Sequence, residues 1–364
     1  MQQPHGICLS LLSDSFSRLF HYVFISIYIE FLYPACYNLI AAGKLLKEEA
    51  THMMDITLIG TGALQPLPDR ALASAAITLA GHILLLDCGE GTQAAAKGAG
   101  VSLMKIDAIA LTHYHGDHTY GLPGLLQSMG MTGRTEPVTL IGPKGLEDEM
   151  KPFLMLCPYL PYELRLMELP EEGISLHMLN AAWSDQAFIR PFDTVHKVVS
   201  QGYRIDLKRP GKFLPQKARE LGVPVQCFKL LQRGESVTVG DAIVTPDQVL
   251  GDARRGISVA YTGDTAMCST VLEAAADADL LICEATYGEN EQEELAADHG
   301  HMTFSQAAHL AAQAGVRTLW LTHYSPMIAD AKEYEENAVS IFPAARCGED
   351  GMKTTLRFDE ENPT

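Results

Sequence analysis

The densest chemistry in the chain lies in six consecutive positions: His113, Tyr114, His115, Gly116, Asp117 and His118. Imidazole nitrogens and carboxylate oxygens together are the donor set of zinc or a similar first-row divalent ion. His113 and His115, two apart on an extended backbone, can both reach one ion. Asp117 and His118 lie past the Gly116 turn and can face a second ion beside it. An exposed, histidine-rich turn without a role is the alternative. It explains poorly why four donor residues follow directly on a strand. That strand is the apolar run 106–111, whose Ile, Ala and Leu read as a buried strand delivering its C-terminal end to a site.

Other donor residues end other apolar runs. Residues 259–262 lead to Gly263-Asp264-Thr265, residues 280–282 to Cys283-Glu284-Ala285-Thr286, and residues 319–322 to His323. Read alone, Asp264 is either a ligand or a helix N-cap before Ala266. His301 precedes a helix expected over 304–314 with Thr303 as its N-cap. His196 stands isolated, and spacing alone does not make it a ligand. Strands at 55–58, 75–79 and 82–87 are expected around the Gly60-Thr61-Gly62 and Ala80-Gly81 turns. The run Asp87-Cys88-Gly89-Glu90-Gly91-Thr92-Gln93 then opens a helix with free N–H groups at its start. Asp87 and Glu90 read as groups that orient this loop and support ligands rather than as ligands. His82 reads as solvated at its turn, His177 as a core or surface residue, and His299 and His309 as incidental.

The segment from His113 to His118 resembles the HxHxDH signature of the metallo-β-lactamase superfamily. Its continuation Tyr120-Gly121-Leu122-Pro123-Gly124-Leu125-Leu126, with the DCGEGTQ run from Asp87, resembles the ribonuclease Z family of zinc phosphodiesterases that trim tRNA 3′ ends. The resemblance runs from Met54 to about Phe342, with its motifs in order. It implies an α/β fold, the αββα four-layer sandwich with two mixed β-sheets, and two Zn2+ per chain, with Mn2+ or another divalent ion as alternatives. His113, His115, His196 and Asp264 would hold one ion; Asp117, His118, His323 and Asp264 would hold the other. Asp117 would also orient the nucleophilic water or accept its proton, and His301, supported by Glu284, would hand a proton to the leaving oxygen.

The activity implied is an endonuclease that removes the 3′ trailer of tRNA precursors, leaving a 3′-hydroxyl and a 5′-phosphate. The implied assembly is a cytoplasmic homodimer without a membrane partner. The alternative is a hydrolase of the same fold acting on small phosphodiesters or other esters. A scaffold that has lost catalysis is disfavoured because every expected donor is present. The sequence departs from the family in three places. The Pro-x-Lys-x-Arg-Asn loop reads Pro66-Leu67-Pro68-Asp69-Arg70-Ala71, so only Pro66 and Arg70 match. Cys283 replaces a motif histidine. The Gly-Pro step expected after Pro224 is replaced by Val225-Gln226-Cys227.

The 364 residues are 47% hydrophobic, enough to bury a large core. Eight cysteines without a CxxC pair suit reduced thiols in a cytosol. A net charge of −18 excludes a generally basic nucleic-acid binder, so a phosphate-rich partner must meet a local basic patch. Such a run lies at about 206–233, with Lys208, Arg209, Lys212, Lys217, Arg219, Lys229 and Arg233 broken by prolines. The resemblance makes it an arm that grips tRNA, and makes Arg70, Lys208, Arg209 and Lys212 candidate substrate contacts. Residues 1–53 differ from the hydrolase domain expected over 54–364. The aromatic stretch 16–42 is interrupted by His21, Glu30, Pro34 and Asn38, unlike a membrane span. A secretory signal would need a basic start, which is absent. Met54 opens the family-like run, so the segment reads as an extension from a mis-assigned start.

Overall fold

The computed structural model describes residues 53–232 and 234–359. The reading of the N-terminal segment, and Arg233 of the basic run, fall outside the described residues. Among the described residues no helix is long and apolar enough to cross a membrane.

The first sheet is built from β1 (Met53–Gly60), β2 (Ser74–Leu79), β3 (His82–Leu86), β4 (Ile106–Ala110), β5 (Val138–Gly142), β6 (Leu164–Glu168) and β16 (Lys353–Arg357). The second contains β7 (Ile174–Ser175), β8 (Ala187–Asp193), β9 (Gln201–Arg209), β12 (Arg254–Tyr261), β13 (Leu280–Glu284), β14 (Leu319–Thr322) and β15 (Ala345–Cys347). Their orders are β16-β1-β2-β3-β4-β5-β6 and β15-β14-β13-β12-β9-β8-β7. Both sheets are mixed: β3 to β6 and β12 to β15 run parallel, and the other neighbours antiparallel.

The two-residue period of each strand sets the layers. Met54, Ile56 and Leu58 of β1, Leu84 and Leu86 of β3, and Ala108 and Ala110 of β4 point inward. They meet Ile257, Val259 and Tyr261 of β12, Leu280 and Ile282 of β13, and Trp320 of β14 in one buried cluster. The opposite phase faces helices. Ile83, Leu85 and Ile109 pack beneath Leu122–Met131 and Leu146–Met155 through Leu122, Leu125, Met129, Leu146 and Met150. Leu281, Cys283, Leu319 and Leu321 pack beneath Ser269–Ala275 and Phe304–Ala314. The result is the expected αββα sandwich. Cys283 lies in the outer layer, where burial pushes its thiol pKa far up, and it takes no part in the site.

Strand direction places the chemistry. Ligands of α/β sheets gather beyond the C-terminal ends of parallel strands. The segments after β3, β4, β12, β13 and β14 carry Asp87, His113 to His118, Asp264, Thr286 and His323 to one edge of the sandwich. β8 runs with β12 because both are antiparallel to β9, so His196 in the β8–β9 connection reaches the same edge. β9 then runs away from it. Over its nine residues, at roughly 3.3 Å each, it carries the chain about 27 Å towards the far edge.

The excursion between β9 and β12 leaves from that far edge. It holds two short helices, Pro215–Glu220 and Phe228–Gln232, and a hairpin of β10 (Val237–Val239) and β11 (Ala242–Val244). Ala218, Val223, Leu231, Val237, Val244 and Val249 give it a small core of its own. It spans 210–253, differing from the expected 206–233, because β9 stays paired with β8 or β12 as far as Arg209. Lys208 lies over the Phe188 ring, 3.9 Å from its centroid, and Arg209 donates to the Asp359 carbonyl at 2.8 Å.

His177 lies exposed in a 3-10 turn, as a surface residue, and its Nδ1–H donates to the Trp183 carbonyl at 2.9 Å. One histidine expectation changes. His82 is not merely solvated: its Nδ1 is 2.6 Å from Asp107 Oδ2. The other Asp107 oxygen accepts from buried Arg134 at 2.8 Å. Arg134 also donates to the carbonyls of Met104, Glu136 and Pro137, so its charge is fully partnered. This cluster fixes the start of β4, the strand that presents His113.

Candidate metal centre

The expected donors arrive from four segments, those after β4, β8, β12 and β14, yet their atoms converge. His113 Nε2 lies 3.0 Å from His115 Nδ1, which lies 3.3 Å from His196 Nε2. Asp264 Oδ2 stands 3.6 Å from His113 Nε2 and 3.9 Å from His196 Nε2. The other oxygen, Asp264 Oδ1, faces the second group, 3.4 Å from His118 Nε2 and 3.2 Å from His323 Nε2. Asp117 Oδ2 completes that group at 3.8 Å from His118 Nε2 and 3.5 Å from His323 Nε2. The seven donors therefore form two clusters that share one carboxylate, and His301 forms a further possible group with Asp264 and His323.

Outer hydrogen bonds fix which nitrogen faces inward. The Thr112 hydroxyl donates to Asp87 and so accepts from His113 Nδ1–H at 3.0 Å. Asp87 Oδ2 accepts from His118 Nδ1–H at 2.9 Å, and the Gly300 carbonyl from His196 Nδ1–H at 2.9 Å. The Thr286 hydroxyl donates to Glu284 and accepts from His323 Nδ1–H at 3.0 Å. With these tautomers, assigned from the network, four Nε2 lone pairs point into the same space. The His118 and His323 Nε2 lone pairs, 3.3 Å apart, cannot hydrogen-bond one another. The fully buried Asp264 Oδ1 likewise accepts no hydrogen bond. A cation between them resolves both conflicts, so the donor set fits a divalent-metal site. Asp264 and Asp117 complete the donor set with carboxylate oxygens 3.2–3.9 Å from the histidine nitrogens.

The backbone is shaped to the same end. Asp87 and His323 are non-glycine residues in the left-handed region, at φ 57° and 60°. Such conformations cost of order 1–3 kcal/mol and persist where surrounding contacts enforce them. Asp87 is enforced by Thr112, His118 and Tyr261, all hydrogen-bonded to its buried carboxylate. Gly89 of the same loop packs against the metal-motif turn so closely that a Cβ would stand 2.0 Å from the Asp117 carbonyl oxygen. Asp264 does not cap a helix; the next helix begins at Ser269.

Beside the donors, His301 Nδ1 is 2.8 Å from Glu284 Oε1. The buried Glu284 carboxylate also accepts from the backbone N–H of Thr265, Thr286 and Met302, so it cannot move. Burial pulls the His301 pKa down, but the Glu284 charge outweighs it and pushes it up to about 9. The His301 ring stacks on His323 with centroids 5.5 Å apart and faces the cleft.

This cleft, about 770 Å³, opens over the donors and is walled by Ala63 to Pro66, Glu90, Tyr120, Lys197, Tyr287 and His299. The loop after Gly60 is thus its rim, and Leu64 N–H donates to Asp117 Oδ2 at 2.8 Å. Arg70 braces that rim by donating to the Ile328 and Ala329 carbonyls. Lys208, Arg209 and Lys212 lie with the far edge and the excursion, away from the cleft. His299, read as incidental, belongs to the wall with its Nδ1 2.6 Å from the Tyr287 hydroxyl, whereas His309 is exposed on a helix. Sequence reasoning did not reach Thr112, Thr286 or Gly300; only their adjacency to His113, Glu284 and His301 marks them.

A Beta-lactamase superfamily domain model matches residues 82–324. The chain is 44% identical to a ribonuclease Z of Lachnoclostridium phytofermentans over 310 residues, 85% of this chain and 99% of the relative. The short form of human tRNase Z is similar in structure, with TM-score 0.57 and 25% identity, covering 82% of this chain and 98% of that one. The metallo-beta-lactamase fold protein YhfI from Bacillus subtilis matches with TM-score 0.60 over 84% of this chain and all of that one, at 19% identity, and so speaks for the fold alone.

Proposed function

This chain belongs to the ribonuclease Z family of the beta-lactamase superfamily, and from that membership we propose that it cuts tRNA precursors at their 3′ ends. It is a metal-dependent endoribonuclease, and residues 54–364 carry the activity. The products are a tRNA 3′-hydroxyl and a trailer 5′-phosphate. The observation that carries the reading is Asp264, which turns one buried oxygen to each of two donor clusters.

His113, His115, His196 and Asp264 hold one ion, and Asp117, His118, His323 and Asp264 the other. Five imidazoles with two carboxylates favour zinc over the oxygen-rich sites of manganese or magnesium. Two such ions supply a nucleophile at neutral pH and offset the charge on a phosphodiester. The remaining work falls to the chain. Asp117, tethered by Leu64 N–H, orients the attacking water and takes its proton. His301, held by Glu284, protonates the departing ribose oxygen. The wall of Tyr120, Tyr287 and His299 bounds the RNA strand. The excursion at 210–253 is the tRNA-gripping arm. Its departure from the edge opposite the cleft supports a homodimer in which one subunit's arm serves the other's site, and the enzyme acts in the cytoplasm.

The rival is a hydrolase of small phosphodiesters, favoured by the altered 66–71 loop. Zinc-loaded protein is therefore assayed on a tRNA precursor with a 3′ trailer and on bis(4-nitrophenyl) phosphate, with Asp117→Ala as control. Cleavage after the discriminator base, abolished in the control, is the expected result. Turnover of the small diester alone would leave the rival standing.

A further inference from the structure

The cleft presents RNA with a problem of charge. The chain carries −18 overall, and Glu90, Asp117 and Asp264 line the cleft itself. Ions held by the donor clusters can offset the scissile phosphate, but an RNA strand brings a further negative charge with each nucleotide. Among the described residues that line the cleft, Lys197 is the only lysine or arginine. It follows His196 directly and is exposed, and no carboxylate is paired with it among the described residues.

Its backbone is unusually well held for an exposed lysine. On one side Val195 N–H donates to Thr265 Oγ1 at 3.0 Å, and the Val195 carbonyl accepts from Ala266 N–H at 2.8 Å. His196 is tied to Gly300, where a Cβ would stand 2.9 Å from His196 Nδ1 and where φ is 76°. On the other side Ser200 Oγ accepts from Thr194 Oγ1 at 2.6 Å, and Gln201 N–H donates to the Thr112 carbonyl. The lysine is thus a mobile ammonium on a base fixed relative to the metal donors, suited to a point contact with phosphate.

We propose that Lys197 binds a phosphate of the RNA strand adjacent to the scissile one, and so registers the strand on the metal centre. The inference rests on the proposed function, since a small diester has no second phosphate for it to hold.

The test uses the full zinc-loaded chain with Lys197→Met and Lys197→Arg, assayed on the tRNA precursor and on bis(4-nitrophenyl) phosphate across a potassium chloride series. In Lys197→Met the precursor should lose at least tenfold more in kcat/KM than the diester, with the loss mainly in KM. The slope of log kcat/KM against log salt should flatten by about 0.7, one single-strand phosphate contact. Lys197→Arg should restore both. Equal KM and equal salt slope in wild type and Lys197→Met, with zinc content intact, would overturn the proposal. A wild type that turns over the diester and leaves the precursor uncut would remove the proposed function and this inference with it.

Discussion

At the scale of single residues, the centre depends as much on the groups behind the donors as on the donors. Asp87 binds no ion in this account, yet it accepts from His118, Thr112 and Tyr261 at once. Asp87→Asn should weaken zinc binding by roughly 10–100-fold, read by competition with a chromogenic chelator; unchanged affinity would show that His118 needs no such support. Glu284 governs His301 through charge. In the proposed reaction the imidazolium is the proton donor, and the neighbouring carboxylate keeps it protonated up to a pH of about 9. In Glu284→Gln the main raising influence on His301 is lost while burial still lowers its pKa, so the alkaline limb of the pH–rate profile should move to lower pH, by roughly 1–3 units. A limb that stays in place would assign it to another group. Six of the seven donors were legible because they end apolar strands or sit in one dense motif. His196 was legible only through the family resemblance, because its partners are supplied by tertiary contacts: Gly300, 104 residues away, holds its ring. Lys197 and the Tyr287–His299 pair were invisible for the same reason.

At the scale of elements, β4 is the strand whose position matters most to the site. Its start is clamped by Asp107 between Arg134 and His82, at the end remote from His113. The pair is buried, with side chains 1% and 6% exposed. Removing one partner strands the other's charge, so Asp107→Ala should cost about 3–5 kcal/mol in urea unfolding. A double change to apolar residues of similar size, Asp107→Leu with Arg134→Met, should cost much less. If the double change is as damaging as the single, hydrogen bonding by Arg134 to the three carbonyls outweighs the charge effect. Strand phase and helix 304–314 with its Thr303 cap were readable because alternation and capping are local signals. The clamp was not, since Asp107, Arg134 and His82 meet only after β3, β4 and the 132–137 turn have packed. The limits of the excursion also escaped. Basic composition marks charge, whereas its roots are set by where β9 and β12 stop pairing.

At the scale of the molecule, metal centre and excursion occupy opposite edges of one sandwich. Because β9 and β12 are antiparallel neighbours, a short turn can replace residues 210–253 without breaking the sheet. That deletion should keep the melting temperature and small-diester turnover near wild type while precursor cleavage falls by orders of magnitude. Loss of both activities together would make the excursion part of the fold rather than a substrate arm. The central claim is that Asp264 joins two metal ions in one site. Anomalous diffraction at the zinc edge from zinc-loaded crystals tests it most directly. Two peaks roughly 3.5–4 Å apart, one on each side of the Asp264 carboxylate, are the predicted result. A single peak, or peaks that leave Asp264 Oδ1 without a metal neighbour, would contradict the account.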